Sequence, residues 1–175
     1  MARGVTNLND FADELLTTVG QALLTTTGGV IDRAYVSPGV PVIDCCPMLT
    51  VDVRTLTAEN TAPTGPSPVI GHRGVRVPAM WLVSLVITVV RCAATVEGQQ
   101  LPSLADLAAN ATAMNEDLWA IWNWLLEAKR DGLLFGGACT AMYLDPPVSI
   151  NQGGCCGWTL QIRVPVDGYA APVGT

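Results

Sequence analysis

The chain is poor in charged residues, and lysine and histidine each occur only once, at Lys129 and His72. Charged residues make up 14% of the 175 residues, and the net charge is −6. The arginines are scattered, with Arg73 and Arg76 as their only small cluster. Binding to a phosphate backbone requires clustered lysine and arginine. We therefore expect no specific nucleic-acid partner.

The single histidine limits the catalytic chemistry that the chain can perform. A Ser-His or Cys-His nucleophilic site would have to use His72. It lies between Gly71 and Arg73, with no serine, cysteine or acid patterned around it. Gly136-Gly137 and Gly153-Gly154 lack the spacing of a dinucleotide-binding or phosphate-binding loop. We therefore predict that the protein is not an enzyme and uses no cofactor.

Long apolar runs are also missing from this sequence. Met1–Gly4 precedes a polar helix start instead of an apolar run, so we expect no export signal. The longest apolar run, Ala79–Val90, is shorter than the roughly 20 residues that cross a bilayer as a helix. It is rich in β-branched residues, which favours a buried strand.

Six cysteines are present, four of them in two adjacent pairs, and no metal is predicted from them. With no export signal, buried reduced thiols are the simplest state. A zinc site built from both pairs is an alternative, although adjacent residues of a strand point to opposite faces and suit one metal poorly. A disulfide between the pairs is a third possibility. The six positions are Cys45, Cys46, Cys92, Cys139, Cys155 and Cys156.

Apolar residues are abundant, at 50% of the chain. A length of 175 residues suits one domain, so we assign residues 1–175 to a single unit with a long loop at 57–78 and a short C-terminal tail at 168–175. The combination of many apolar and few charged residues indicates that part of the surface is buried against partners.

Hydrophobic periodicity predicts two helices and five strands. Their order predicts an α+β fold: a mostly antiparallel sheet of four to five strands with two helices packed on one face. Because two of the strands keep a polar face, we expect the other face of the sheet to be uncovered. The helices are expected at about 9–25 and 103–130, and the strands at 31–37, 48–56, 79–92, 138–145 and 156–166.

The second helix carries an apolar stripe and a separate tryptophan. Ser103 with Asp106 resembles a capping box at its start. The stripe is expected to face the core along the whole helix. Trp124 lies off this stripe, so it is either a subunit-subunit anchor or a residue packed under the first helix or a loop. The stripe comprises Leu104, Leu107, Ala111, Met114, Leu118, Ile121, Trp122 and Leu125.

The segment 57–78 is the most conspicuous irregular part of the sequence. It is rich in proline and glycine, and a loop of this length is typically functional or disordered. Its apolar and basic side chains are therefore candidate partner contacts. They are Val69, Ile70, Arg73, Val75, Arg76 and Val77.

Four short segments resemble the tail-terminator proteins of long-tailed phages, in the versions from actinobacterial phages. They are 34–39 (Ala-Tyr-Val-Ser-Pro-Gly), Asp44-Cys45-Cys46 before a strand, Val89–Cys92 at the end of the apolar strand, and 154–162 (Gly-Cys-Cys-Gly-Trp-Thr-Leu-Gln-Ile). The order of the elements agrees with that family as well, so the likeness spans most of the chain.

The resemblance implies a structural virion protein. Such proteins form a ring, commonly of six copies, on the head-proximal end of the tail tube and stop its polymerisation. The implied partners are further copies of the chain, the major tail tube protein and the head-tail connector or stopper protein. The implied location is the neck of the virion, after assembly in the host cytoplasm. Another neck ring, or less readily a cysteine-based metal-binding module, remains the alternative.

Overall fold

A computed structural model describes residues 8–43, 47–59, 80–94, 101–137, 141–152 and 154–167. Within them lie two α-helices, a short 3₁₀ helix at Leu134–Gly137 and six strands. The helices are α1 (Leu8–Leu23) and α2 (Leu104–Arg130), and the strands are β1 (Arg33–Ser37), β2 (Met48–Glu59), β3 (Met80–Cys92), β4 (Tyr143–Leu144), β5 (Val148–Gln152) and β6 (Cys155–Asp167).

The six strands form one sheet in the order β1-β2-β3-β6-β4, and β5 also pairs with β6. Only β1 and β2 run parallel, and the other pairings are antiparallel. Both helices lie on one face, with α1 against β1 and β2 and α2 against α1 and β6. The predicted α+β class is confirmed. The sheet is larger than the predicted four to five strands because the region after α2 supplies β4 and β5, separated by Pro146-Pro147, in addition to β6.

Three predicted boundaries are wrong. Residues 57–59 continue β2 and pair with 80–82 of β3, so the predicted loop cannot begin at Thr57. Before this extension, a bulge at Arg54 shifts the register between Val53 and Thr55. The strand predicted at 138–145 is found only at Tyr143–Leu144 among the described residues, since 141–142 are in no strand. The first helix ends at Leu23, where the three threonines that follow disfavour helix.

The face of the sheet that meets the helices is continuous and apolar. Alternate residues of β2, β3 and β6 point to it, as the period of two predicts. Gly157 in β6 permits a close approach of the two central strands, since a Cβ there would lie 2.0 Å from the carbonyl oxygen of Val89. The sheet residues in this core include Leu49, Val51, Val83, Leu85, Ile87, Val89, Trp158, Leu160, Ile162 and Val164.

The opposite face carries buried polar residues and an apolar cluster of Met48, Val90 and Cys155, and the prediction that it is uncovered is wrong at its centre. Asp52 and Ser84 are buried there, although the described helices lie on the other side. Each has a polar partner on this face: Arg54 pairs with Asp52, and Gln161 Nε2 donates to Ser84 Oγ at 2.8 Å. Burial raises the pKa of Asp52 above its usual range, although the hydrogen bond from Arg54 opposes the shift.

Candidate interaction surface

A buried ion pair fixes α2 to the end of the central strand. Arg91 Nε donates to Asp117 Oδ2 at 2.5 Å, and Arg91 Nη2 lies 3.1 Å from Asp117 Oδ1. The same guanidinium donates to the carbonyl oxygens of Gly28 at 2.6 Å and Gly29 at 2.9 Å. Thr26 Oγ1 completes the cluster with a 2.7 Å bond to Asp117 Oδ1. Because both buried charges have several partners, this cluster joins β3, α2 and the turn after α1.

A second polar contact lies beside this cluster at the surface. Glu116 accepts a hydrogen bond from the backbone N–H of Thr27 at 3.0 Å and a short one from its hydroxyl. These bonds from Thr27 lower the pKa of Glu116 below its usual range. The turn after α1 is thus held to α2 at two successive residues, Glu116 and Asp117.

The first three turns of α2 contain no buried residue. The buried residues of α2 begin at Asp117 and continue with Ile121, Leu125 and Ala128. In contrast, Leu104 is 86% exposed and Leu107 is 47% exposed. We call residues 104–113 the arm. The prediction that the apolar stripe faces the core along the whole helix is therefore wrong in the arm, where Leu104, Leu107 and Ala111 are exposed.

The start of the arm forms as predicted. Ser103 has extended backbone dihedrals and caps α2, accepting a hydrogen bond from the Asp106 N–H at 3.1 Å. Its hydroxyl donates to the Asp106 carboxylate at 2.6 Å. Ser103 thus satisfies one of the free donors of the first turn, which helps an otherwise exposed helix end to form.

Trp119 is the most exposed tryptophan for which burial is described, and the sequence analysis missed it. Its side chain is 68% exposed and lines a shallow depression of about 560 Å³. The lining residues are Thr112, Asn115, Glu116, Leu118 and Trp119. The sequence does contain a pattern that could have identified Trp119: it follows Asn115 by four residues and Ala111 by eight, so the three lie on one face of the helix. An exposed tryptophan of this size indicates a contact surface.

Trp124, the predicted subunit anchor, is half-buried and packs in part against the hydrophobic core. The rest of the Trp124 side chain is exposed to solvent, so its role as an anchor between subunits stays a prediction. The other predicted partner contacts, Val69, Ile70, Arg73, Val75, Arg76 and Val77, lie outside the described residues. The structure therefore does not bring them together with Trp124.

The described cysteines of the C-terminal pair do not converge. Cys155 is buried with Met48 and Val90, on the face opposite the helices, whereas Cys156 is half-buried. Burial raises the pKa of the Cys156 thiol, and nearby Cys92 adds to the shift. Cys45 and Cys46 lie outside the described residues. Among the described ranges no group of three or more histidine, cysteine or acidic side chains could hold a metal ion.

The segment after β1, which contributes to the family resemblance, is ordered by a local bond. Ser37 Oγ donates to the Gly39 carbonyl at 2.7 Å across Pro38. The adjoining depression, of about 350 Å³, has mixed lining that includes Asp13 of α1 and Val53 of β2. It presents no cluster of converging polar groups of the kind that defines a ligand pocket.

No protein-family model matches the chain, and no curated protein matches it at a significant level. Within the described part of the chain, neither helix is both long and apolar enough to cross a membrane.

Proposed function

We propose that the protein is a structural component of a phage tail that forms a ring on the head-proximal end of the tail tube. One observation from the structure supports this best: a well-packed subunit keeps large apolar side chains exposed on α2, including Leu104, Leu107, Trp119 and Leu126. A protein that worked as a single copy would gain nothing from this surface. The family resemblance supplies the identity of the assembly.

In this proposal the ring contacts are heterologous, because each subunit uses one surface to bind the next subunit and a different surface to bind the previous one. The partners are the major tail tube protein on one side and the head-tail connector or stopper protein on the other. DNA passes through the ring without specific contacts, as the net charge of −6 favours. Val69, Ile70, Val75 and Val77 provide apolar contacts to a neighbour in this arrangement.

Electron microscopy of the purified protein mixed with tail tubes tests the proposal. We expect density for a ring at one end of each tube, and tube growth that stops when the protein is added to polymerising tube subunits. Open tube ends that continue to grow at an unchanged rate would contradict it. Binding to the connector without binding to tubes would instead indicate a different neck ring.

Trp124→Ala tests the predicted anchor. Because part of the Trp124 side chain packs against the core, we expect the melting temperature of the isolated subunit to fall only slightly, while ring formation weakens by about 2 kcal/mol per contact. Trp158→Ala is the control, since Trp158 is in the core and its loss should destabilise the subunit by about 3–5 kcal/mol. If Trp124→Ala lowers the melting temperature as far as Trp158→Ala does, Trp124 serves the core alone.

A further inference from the structure

A second apolar stripe runs along the outer side of α2. Its members recur at spacings of four, three, four, four, three and four residues, which is an eleven-residue repeat. A repeat of eleven keeps residues on one face of an almost straight helix. We call this stripe the outer seam, and it comprises Leu104, Ala108, Ala111, Asn115, Trp119, Trp122 and Leu126.

The outer seam faces away from the core. Its centre lies about 100° around the helix from the stripe of Ile121 and Leu125, by the rotation of 100° per residue, and only Trp122 at its edge also packs in part against the core. Six of its seven members are exposed, among them Trp119 at 68% and Leu126 at 47%, and Trp122 is half-buried. The contacts of α1 are on the core side of α2, so within the described residues no helix covers the seam.

The order of large and small residues makes the seam complementary to itself in the antiparallel direction. The C-terminal half of the seam contains Trp119, Trp122 and Leu126, whereas its N-terminal half contains two alanines, Ala108 and Ala111, after Leu104. When two seams run antiparallel with Asn115 at the centre, Ala111 meets Trp119 of the second copy and Ala108 meets Trp122 of the second copy. Leu104 then meets Leu126 of the second copy, and the two Asn115 side chains meet each other. Each large ring thus lies over an alanine.

We propose that two copies of the chain pair through the outer seams of their α2 helices, antiparallel and around a two-fold axis at Asn115. Amide side chains are both donors and acceptors, so two Asn115 residues can bond to each other across the axis. A polar residue in an otherwise apolar helix seam also fixes the register of pairing, because any shifted pairing buries it against apolar groups.

The helix dipoles of α2 favour the same arrangement, because they oppose each other in an antiparallel pair. Ion pairs between the copies are not part of the contact. Asp106 lies about 180° around the helix from the seam, and Arg130 is already bonded to Asp131. The seam itself contains no charged residue between Leu104 and Leu126, so no like charges are buried at the axis.

Pairing also accounts for the arm. By itself, an exposed helix of about 15 Å has little to stabilise it, because short helices in water are marginal. In the pair, the arm of each copy lies along the anchored half of the other copy's α2, where Trp119 and Trp122 are presented. The arm is then the element that one copy supplies to the other.

This contact differs in kind from a ring contact: a two-fold pair is isologous, whereas neighbours in a closed ring make heterologous contacts. Leu104, Trp119 and Leu126 belong to the exposed surface that motivates the ring, and they cannot contact a second seam and a ring neighbour at once. The pair therefore describes the free protein before it joins a ring, and if pairing fails these residues remain available for ring contacts.

Sedimentation analysis of the full chain with two matched variants tests the pairing. We expect the wild type to have twice the subunit mass. Ala111→Asp places a charge against Trp119 of the second copy and should weaken the dimer at least about 100-fold. Ala109→Asp introduces the same charge at an exposed position of the same helix off the seam, and the dimer should persist. A monomeric wild type, or an oligomer that both variants change equally, would overturn the proposal.

Disulfide crosslinking tests the register. Asn115→Cys should form a covalent dimer under mild oxidation, because the two positions meet at the axis. Ala109→Cys and the wild type, which carry the same native cysteines, should crosslink far less. Equal crosslinking of Asn115→Cys and Ala109→Cys would contradict an axis at Asn115.

Discussion

The two halves of α2 have the same secondary structure and similar apolar content but opposite surroundings. From Asp117 onward the helix is anchored by buried Ile121, Leu125 and Ala128 and by the ion pair with Arg91. The arm has no buried residue at all. This comparison shows that an apolar stripe predicts which face of a helix is buried. It does not predict whether the surface that covers this face belongs to the same chain. The stability of the fold should therefore depend on the anchored half alone.

The ion pair that ends the arm should give the largest effect on stability. Arg91→Met leaves Asp117 buried without its main partner, and we expect a loss of about 3–5 kcal/mol in the free energy of unfolding. Arg163→Met is the matched control, because the Arg163–Asp145 pair is partly exposed and should contribute about 0–1 kcal/mol. Urea denaturation measures both. If the two substitutions cost the same, the anchored half is not held by the cluster.

Leucine truncations compare the halves directly. Leu125→Ala removes a fully buried side chain and should cost about 2–5 kcal/mol. Leu104→Ala, at the exposed end of the arm, should change the stability of the subunit by no more than about 0.5 kcal/mol. Denaturation should be measured in the Ala111→Asp background, so that pairing does not contribute. A large loss from Leu104→Ala there would show that the arm belongs to the fold of the single subunit.

The C-terminal stop of α2 should give a smaller effect. Gly132 has φ of 66°, and the N–H groups of Gly132 and Leu133 bond to the carbonyls of Lys129 and Ala128, which is a Schellman motif. Gly132→Ala should cost about 1–2 kcal/mol because a Cβ disfavours this conformation. Gly20→Ala, inside α1 with no atom within 4 Å of the new Cβ, should instead stabilise by about 0.5–1 kcal/mol. If the melting temperature changes in the same direction for Gly132→Ala and Gly20→Ala, the assignment of Gly132 to a Schellman motif is contradicted.

The smallest effect concerns Glu116 at the base of the arm. Its pKa is lowered in the folded state, so its contribution to stability is present above the unfolded value near 4.5 and is lost as the pH falls through the folded value. The difference in urea midpoint between the wild type and Glu116→Gln should therefore be present at neutral pH and vanish in acid. Glu127→Gln is a control on the exposed surface. A difference that persists in acid would rule out the Thr27 bond as its cause.

Periodicity was sufficient to predict the class of fold and most of the core. Successive side chains of a strand point to opposite faces, so the apolar run in β3 and the alternation in β2 and β6 can be read directly from the sequence. The ends of β2 and the division of the region after α2 into β4 and β5 depend on pairing partners distant in the chain, which local patterns do not contain.

The candidate surface was harder to predict. Trp124 was chosen because it lies off the main stripe, but the structure packs part of it against the core. Trp119 was overlooked because it follows a stripe of alanines and an asparagine, which carries little hydrophobic signal. The partner of Arg91 could not be inferred either, since Asp117 lies in a different element and nothing local links them.

The place of β6 in the sheet has a consequence for how the protein is made. The central strand β3 lies between β2, its predecessor, and β6, the last described strand of the chain. Its second neighbour is therefore translated only after α2 and the two short strands. Pairing across so long a stretch of sequence is slow, because the loop must close before its contacts form. During synthesis one edge of β3 therefore stays unpaired. This hydrophobic strand gains its second neighbour only after β6 has been translated.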